Sequence, residues 1–253
     1  MTARSSGYSS VDIDEIAHWY FADRKRVLSD SEAVSAFHSI GARCRFLKTL
    51  PLNATVLDVG AGDGSLHLFR DWPPILRSDV RVYAYAGERG KNFDRYDGSE
   101  VGWWPRQPPS FDGMPFDAIM ACHFIEHIDS PLEFVSWACD RLAPWGRIFL
   151  EWPSPQSVRL PTTAVLRARG MNIMVGNYFD DSTHRTEAPD MQRVVGKLQA
   201  VNMQITEYGI ARVPFIDGEM LSAARAKNDI VDSTLAYWSF TGWCQYVTAQ
   251  AIQ

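Results

Sequence analysis

Apolar positions recur at a helical period through the first fifty residues. Ile13, Ile16, Ala17, Tyr20 and Val27 predict a helix within 11–29, and Val34, Phe37, Cys44 and Leu47 a second within 31–50, stopped by Pro51. The pattern then switches to short apolar runs. Thr55-Val56-Leu57-Asp58-Val59 leads into Gly60-Ala61-Gly62-Asp63-Gly64 and on to Leu66, Leu68 and Phe69, which reads as strand, glycine turn and helix. A second strand is predicted over 80–85, ending at Gly87. Residues 87–115 are rich in Gly, Pro and aromatic side chains, with one weak strand near Val101. A buried strand follows from Phe116 to Ala121. Ser130-Pro131-Leu132-Glu133 predicts a capping box with proline at the first helical position, and Val135, Cys139 and Leu142 continue the face. Pro144 and Gly146 end that helix before a strand at Ile148-Phe149-Leu150. Residues 153–185 show no period. A helix opens at Pro189 and runs through Met191, Val194, Val195 and Leu198, and two β-like stretches, 203–212 and 242–252, flank a polar helical piece at 217–232. Strands alternating with helices predict an α/β fold, a doubly wound sheet with helices on both faces.

Composition narrows this picture. The 253 residues, 46% of them hydrophobic, suffice for one large domain carrying a lid and insertions. With 25 basic and 30 acidic side chains the formal charge is −5, so a basic footprint for bare nucleic acid is missing. The 4 cysteines, Cys44, Cys122, Cys139 and Cys244, are far apart and form no C-x-x-C, which argues against a disulfide scaffold or a cysteine-rich zinc module. Thr2 to Ser10 is polar and lacks the apolar run of a signal peptide, and no segment approaches the roughly 18 apolar residues of a membrane span. The expectation is a cytoplasmic protein with no membrane partner.

A glycine turn between strand and helix lets a ligand approach the backbone at the carboxyl edge of the sheet, although such a turn can also be purely structural. The spacing G-x-G-x-G lacks the third glycine of the dinucleotide pattern and the Gly-Lys-Ser/Thr of a P-loop. Asp58 would repel a pyrophosphate there and suits a cationic or hydroxylated ligand. This segment resembles motif I of the class I S-adenosylmethionine-dependent methyltransferases. Further segments follow in the family's order: Phe116-Asp117-Ala118-Ile119 resembles its fourth strand, Phe124-Ile125-Glu126-His127-Ile128 its "vlEHv" element, Arg141 to Ile148 its "RvLkPGGrl" turn, and Asp181-Ser182-Thr183-His184-Arg185 the "DpTHvr" segment of the small-molecule, "type 11"-like subgroup. The likeness spans about residues 40–210.

The resemblance implies a Rossmann-like seven-stranded sheet whose last strand is antiparallel, an N-terminal helical lid over 1–50, and a cofactor-binding domain over 51–253. Acceptor-site insertions would fall near 153–185 and 211–240. It further implies that Asp58, Gly60, Ala61 and Gly62 contact the methionine end of S-adenosylmethionine and that Ala121 and Cys122 line the pocket through backbone. Two departures stand out. The ribose-binding acid would fall on Ala86, and Glu88 is the nearest acid able to accept from both hydroxyls. Trp145 replaces the first of the paired glycines.

His123-Phe124-Ile125-Glu126-His127 also spells H-x-x-E-H, the inverted zinc-peptidase motif. That reading needs a long helix, and here the motif directly follows a strand and meets Asp129-Ser130-Pro131. Some methyltransferases acting on vicinal hydroxyls are similar in this loop and hold a divalent metal, for which His123, Glu126, His127 and His184 are the matching positions. The favoured reading assigns no metal and leaves Glu126 and His127 to brace the loop. His127 and His184 are the candidates for general base or substrate orienter, since an imidazole accepts a proton near neutral pH; the alternative for His184 is a surface loop residue. His18, His38 and His67 read as structural. Trp19 and Tyr20 suit either a lid or the core, and Trp103, Trp104 and Trp152 either an acceptor wall or filling.

The expected activity is therefore methyl transfer from S-adenosylmethionine, releasing S-adenosylhomocysteine, to a hydroxyl of a small-molecule acceptor of sugar or secondary-metabolite type. A non-catalytic protein retaining the fold is the alternative. A nucleic-acid methyltransferase is disfavoured by the charge, and a homodimer is compatible with the sequence.

Overall fold

The computed structural model describes residues 12–185 and 187–252. The polar Thr2 to Ser10 stretch and the first eleven residues of the 1–50 lid lie outside the described residues.

Helix α1 (Ile13–Phe21) starts at Asp12, whose side chain accepts from the Asp14 amide, and ends where Ala22 turns extended. The predicted helix to residue 29 stops short because Val27 is 85% exposed and belongs to no apolar stripe. Helix α2 (Asp30–Ile40) opens with a Ser29–Glu32 capping box. Gly41 then adopts an extended conformation, splitting the second predicted helix and starting α3 (Ala42–Lys48). Strand β1 (Thr55–Val59) is buried along its whole length. The helix expected after the glycine turn shrinks to a 3-10 turn at Ser65–His67 and the single turn of α4 (Leu68–Asp71), since Pro73 and Pro74 follow at once.

Strands β2 (Arg81–Ala86), β3 (Gly98–Val101) and β4 (Phe116–Cys122) lie where the pattern placed them. At α5 (Pro131–Asp140) the Ser130 side chain makes no capping bond; its carbonyl accepts from the Glu133 and Phe134 amides instead, both at 3.1 Å. Strand β5 (Leu142–Pro153) is far longer than the three apolar residues that announce it. The aperiodic stretch holds α6 (Thr163–Ala168), and α7 (Met191–Ala200), β6 (Met203–Ile210), α8 (Ile216–Lys227), α9 (Ile230–Thr241) and β7 (Cys244–Ala251) complete the chain. Helix α9 eludes the pattern because it buries hydroxyls. Thr234 and Thr241 donate to the carbonyls of Ile230 and Tyr237, at 2.7 and 2.8 Å, so polar letters sit in the core at little cost.

The seven strands form one sheet in the order β3-β2-β1-β4-β5-β7-β6. Neighbours from β3 through β5 pair in parallel, and β7 runs antiparallel to both β5 and β6. This is the Rossmann-like methyltransferase architecture, doubly wound with an antiparallel last strand. Alternation along β4 sends Ile119 and Ala121 into the core under α5 and α7, and Ala118 and Met120 into the core under α3. A third apolar cluster joins Ile16, Trp19 and Tyr20 of α1 and Phe37 of α2 to Met220, Leu221 and Tyr237 of α8 and α9. Trp152, read as wall or filler, is filler: it is fully buried and its indole donates to the Pro189 carbonyl at 2.7 Å.

Candidate active site

The glycine turn leaves β1 with Gly60 at φ +74° and Gly62 at φ +53°, conformations that favour glycine. The Gly60 and Ala61 amides donate to the Tyr85 carbonyl, at 2.9 and 3.1 Å, which fixes the turn to the end of β2. A Cβ on Gly60 would meet the Phe124 ring at 2.9 Å, whereas a Cβ on Gly62 would find nothing nearer than 3.9 Å. Gly62 therefore faces open space. Asp58 is buried below the turn, where the Tyr96 hydroxyl donates to Oδ2 at 2.7 Å. Burial pushes its pKa up to about 6, against the pull of Tyr96 and Arg43.

A cavity of about 720 Å³ opens against Gly60 and Gly62 and takes in Ala86, Glu88, Trp103, Trp104, His123 and His127. Glu88 is exposed and Ala86 is buried, and both line this cavity. Ala61 and Ala121 are buried, and Cys122 is half-buried with its thiol pKa raised by burial. A second cavity, about 570 Å³, meets the same turn at Asp63 and Ser65.

His123 stands at φ +53°. Its Nδ1 lies 3.2 Å from Glu126 Oε1, and its Nε2 lies 3.4 Å from Glu151 Oε1 and 3.7 Å from Cys244 Sγ. Burial alone would strip its proton; Cys244 and the two carboxylates override that and hold the pKa well above its ordinary value. Glu151 is buried and ion-paired with Arg43 of α3, and burial of its charge is outweighed by Arg43 and His123, which bring its pKa down to about 2. The result is a connected chain, Arg43–Glu151–His123–Glu126, in which half-buried Arg43 and His123 alternate with the buried carboxyls.

His127 and His184 come together with ring centroids 4.9 Å apart. Thr183 donates its hydroxyl to Asp181 Oδ1 at 2.6 Å, so its oxygen accepts from His127 Nδ1 at 2.9 Å. His184 Nδ1 donates to the Tyr178 carbonyl at 2.8 Å. Both imidazoles thus carry a proton on Nδ1. Ligand atoms of Glu126, His127 and His184 lie within 4.8 Å of one another and could hold a cation, whereas His123 belongs to a separate group with Glu151 and Cys244. The H-x-x-E-H segment forms only a 3-10 turn at Ile125–His127, which removes the peptidase reading. His67 is structural, with Nδ1 2.7 Å from the Gly64 carbonyl. His38 packs edge-on against Trp72 and lines the second cavity. Arg43, Glu151, Tyr96, Trp238 and Cys244 were invisible as site residues. A charged Glu151 closing the apolar run 148–150 was the one available signal, and its partner lies 108 residues away.

A family model described as a methyltransferase domain matches residues 38–253. The chain belongs to the methyltransferase-domain family. This methyltransferase also shares its fold with solved structures. The cyclopropane synthase MmaA2 from Mycobacterium tuberculosis superposes with a TM-score of 0.53 at 15% identity, covering 92% of this chain and 96% of the other. The mycolic acid cyclopropane synthase CmaA1, solved with SAH and CTAB, gives 0.53 at 15% identity over 94% of each chain. The YcgJ protein from Bacillus subtilis gives 0.50 at 13%, covering 83% and 98%. No curated protein matches in sequence.

The methyl donor of this methyltransferase is S-adenosylmethionine, and the residues present fit it. The first cavity falls within the range of about 300–1,000 Å³ usual for small-molecule sites. Gly62 leaves room for close approach, and Trp104, on the cavity wall, has a buried indole N–H with no partner among the described residues. Among the described residues no helix is long and apolar enough to cross a membrane.

Proposed function

We propose that this methyltransferase methylates a hydroxyl of a small-molecule acceptor. In this reading Asp58, Gly60, Ala61 and Gly62 hold the methionine end of the cofactor, Ala121 and Cys122 line its pocket, and Glu88 takes the ribose hydroxyls in place of Ala86. The observation that carries it is His127: it lines the cofactor-sized cavity with its Nδ1 donating to the Thr183 hydroxyl, which Asp181 holds in place. Bound S-adenosylmethionine supplies a methyl group on a sulfonium with a good leaving group. The protein then has two tasks. Alignment and exclusion of water can lower the barrier by roughly 7–11 kcal/mol. A base adds a factor of about 10² to 10⁴, and His127 Nε2, with His184 beside it, takes the acceptor's hydroxyl proton. The free state of all four cysteines supports a cytoplasmic setting, and the acidic net charge supports a small acceptor over a nucleic acid.

Calorimetry tests the core of this reading. S-adenosylmethionine and S-adenosylhomocysteine are expected to bind the wild type, and Asp58→Ala to weaken both by roughly 10- to 100-fold, the worth of a hydrogen bond to a charged group. Absence of heat with either ligand would leave only a non-catalytic role for the fold.

A further inference from the structure

The second cavity is lined largely by apolar and aromatic side chains. One wall is a run of aromatic rings: His38 of α2 meets Trp72 edge-on at 4.2 Å, and Phe69 meets Trp72 edge-on at 5.9 Å. Trp238 of α9, stacked on Trp243 at 4.3 Å, supplies another ring, and Val213, Val231 and Leu235 complete the apolar lining. Of its polar groups, Asp63, Ser65 and Arg212 are exposed to solvent and Asp232 is half-buried, and several of the others are committed elsewhere. Arg43 and Glu151 are spent on each other, Ser239 Oγ accepts the Val213 amide at 2.7 Å, and burial brings His38 down to about 4, so that it is neutral. The His123 imidazole stands between the two cavities: it lines the first, while its Nε2 approaches Glu151 and Cys244, which line the second.

We infer that this second chamber seats the body of the methyl acceptor, and that the acceptor is a flat, largely apolar ring compound whose hydroxyl reaches past the His123 partition into the first cavity, where His127 stands. The inference rests on the methyl-transfer reading and narrows its substrate class. A sugar carries hydroxyls around its whole rim, and each one buried without a partner costs roughly 1–3 kcal/mol. A planar aromatic molecule instead gains edge and face contacts with Phe69, Trp72 and Trp238 and needs a polar partner at one end alone.

The test uses the full-length protein saturated with S-adenosylhomocysteine, with 2-naphthol and methyl glucoside as probes, followed by tryptophan fluorescence and calorimetry. Saturable binding of 2-naphthol and none of methyl glucoside is expected. Leu235→Arg and Val231→Arg should each weaken 2-naphthol at least tenfold with S-adenosylhomocysteine affinity unchanged; Val231 is 50% exposed, so its variant keeps the fold intact. Binding of 2-naphthol that both variants leave untouched, no binding of it at all, or binding of the glucoside in its place would overturn the inference. Failure of S-adenosylhomocysteine itself to bind would instead strike the methyl-transfer reading beneath it.

Discussion

At the end of β1 the Asp58 carboxyl is buried under its own glycine turn, with a pKa lifted to about 6. Two outcomes follow for a carboxyl that resists ionisation. Its contribution to stability is full below the ordinary carboxylate range and is lost as pH rises through about 6, so Asp58→Asn should flatten that part of the urea-midpoint profile. Conversely, affinity for the cationic cofactor should rise across the same interval and stay flat in Asp58→Asn, measured by calorimetry from pH 5 to 8. Trp145 offers a stability test away from the site. It sits at φ +64° and is 54% exposed, where a bulky residue pays roughly 1–2 kcal/mol. Trp145→Gly relieves that strain against the larger unfolded-state entropy of glycine. The expected net gain is up to about 1 kcal/mol, seen as a melting temperature higher by roughly 2–4 °C. Asp58 and the glycines were legible because a turn's chemistry is written in consecutive letters. Glu88 was legible only as the nearest acid, and its place at the cavity depended on how the loop after β2 folds back.

Helix α3 and strand β5 meet through Arg43 and Glu151, two elements with no sequence proximity. Removing one partner of such a buried pair leaves a charge without compensation and typically costs about 3–5 kcal/mol. Arg43→Met should therefore destabilise strongly in urea denaturation, while Arg43→Met combined with Glu151→Leu should recover much of the loss. Glu151's lowered pKa gives the acid counterpart. Its stabilisation is present above the ordinary glutamate value and disappears as pH falls toward about 2, a slope the double variant should lack. Most elements could be read from period and turn signals, as β1, β4 and α7 show. The failures have a common cause. The 11–29 helix was over-extended by Val27, an apolar residue left in solvent, and α9 was missed because its buried hydroxyls bond back to their own helix.

Across the whole molecule, the sheet brings the ends of β1, β2, β4 and β5 to one edge, and α1, α2, α8 and α9 build a third apolar cluster beside the two that cover the sheet. A ligand bound between such layers stabilises the folded state alone. S-adenosylhomocysteine at 100 times its dissociation constant should add about 2.7 kcal/mol. For a chain of this size that raises the melting temperature by roughly 5–10 °C, and a scan without any shift would contradict a cofactor seat in the first cavity. The sequence by itself determined the α/β class, the glycine turn with Asp58, and the methyltransferase likeness, because strand period, turn chemistry and ordered motifs are local properties. Only the tertiary structure decided that His127 pairs with His184 and Thr183, that His123 turns away to Glu151 and Cys244, and that two cavities share the turn. Those choices depend on contacts between residues dozens to more than a hundred positions apart, which long-range packing sets and no window of sequence contains.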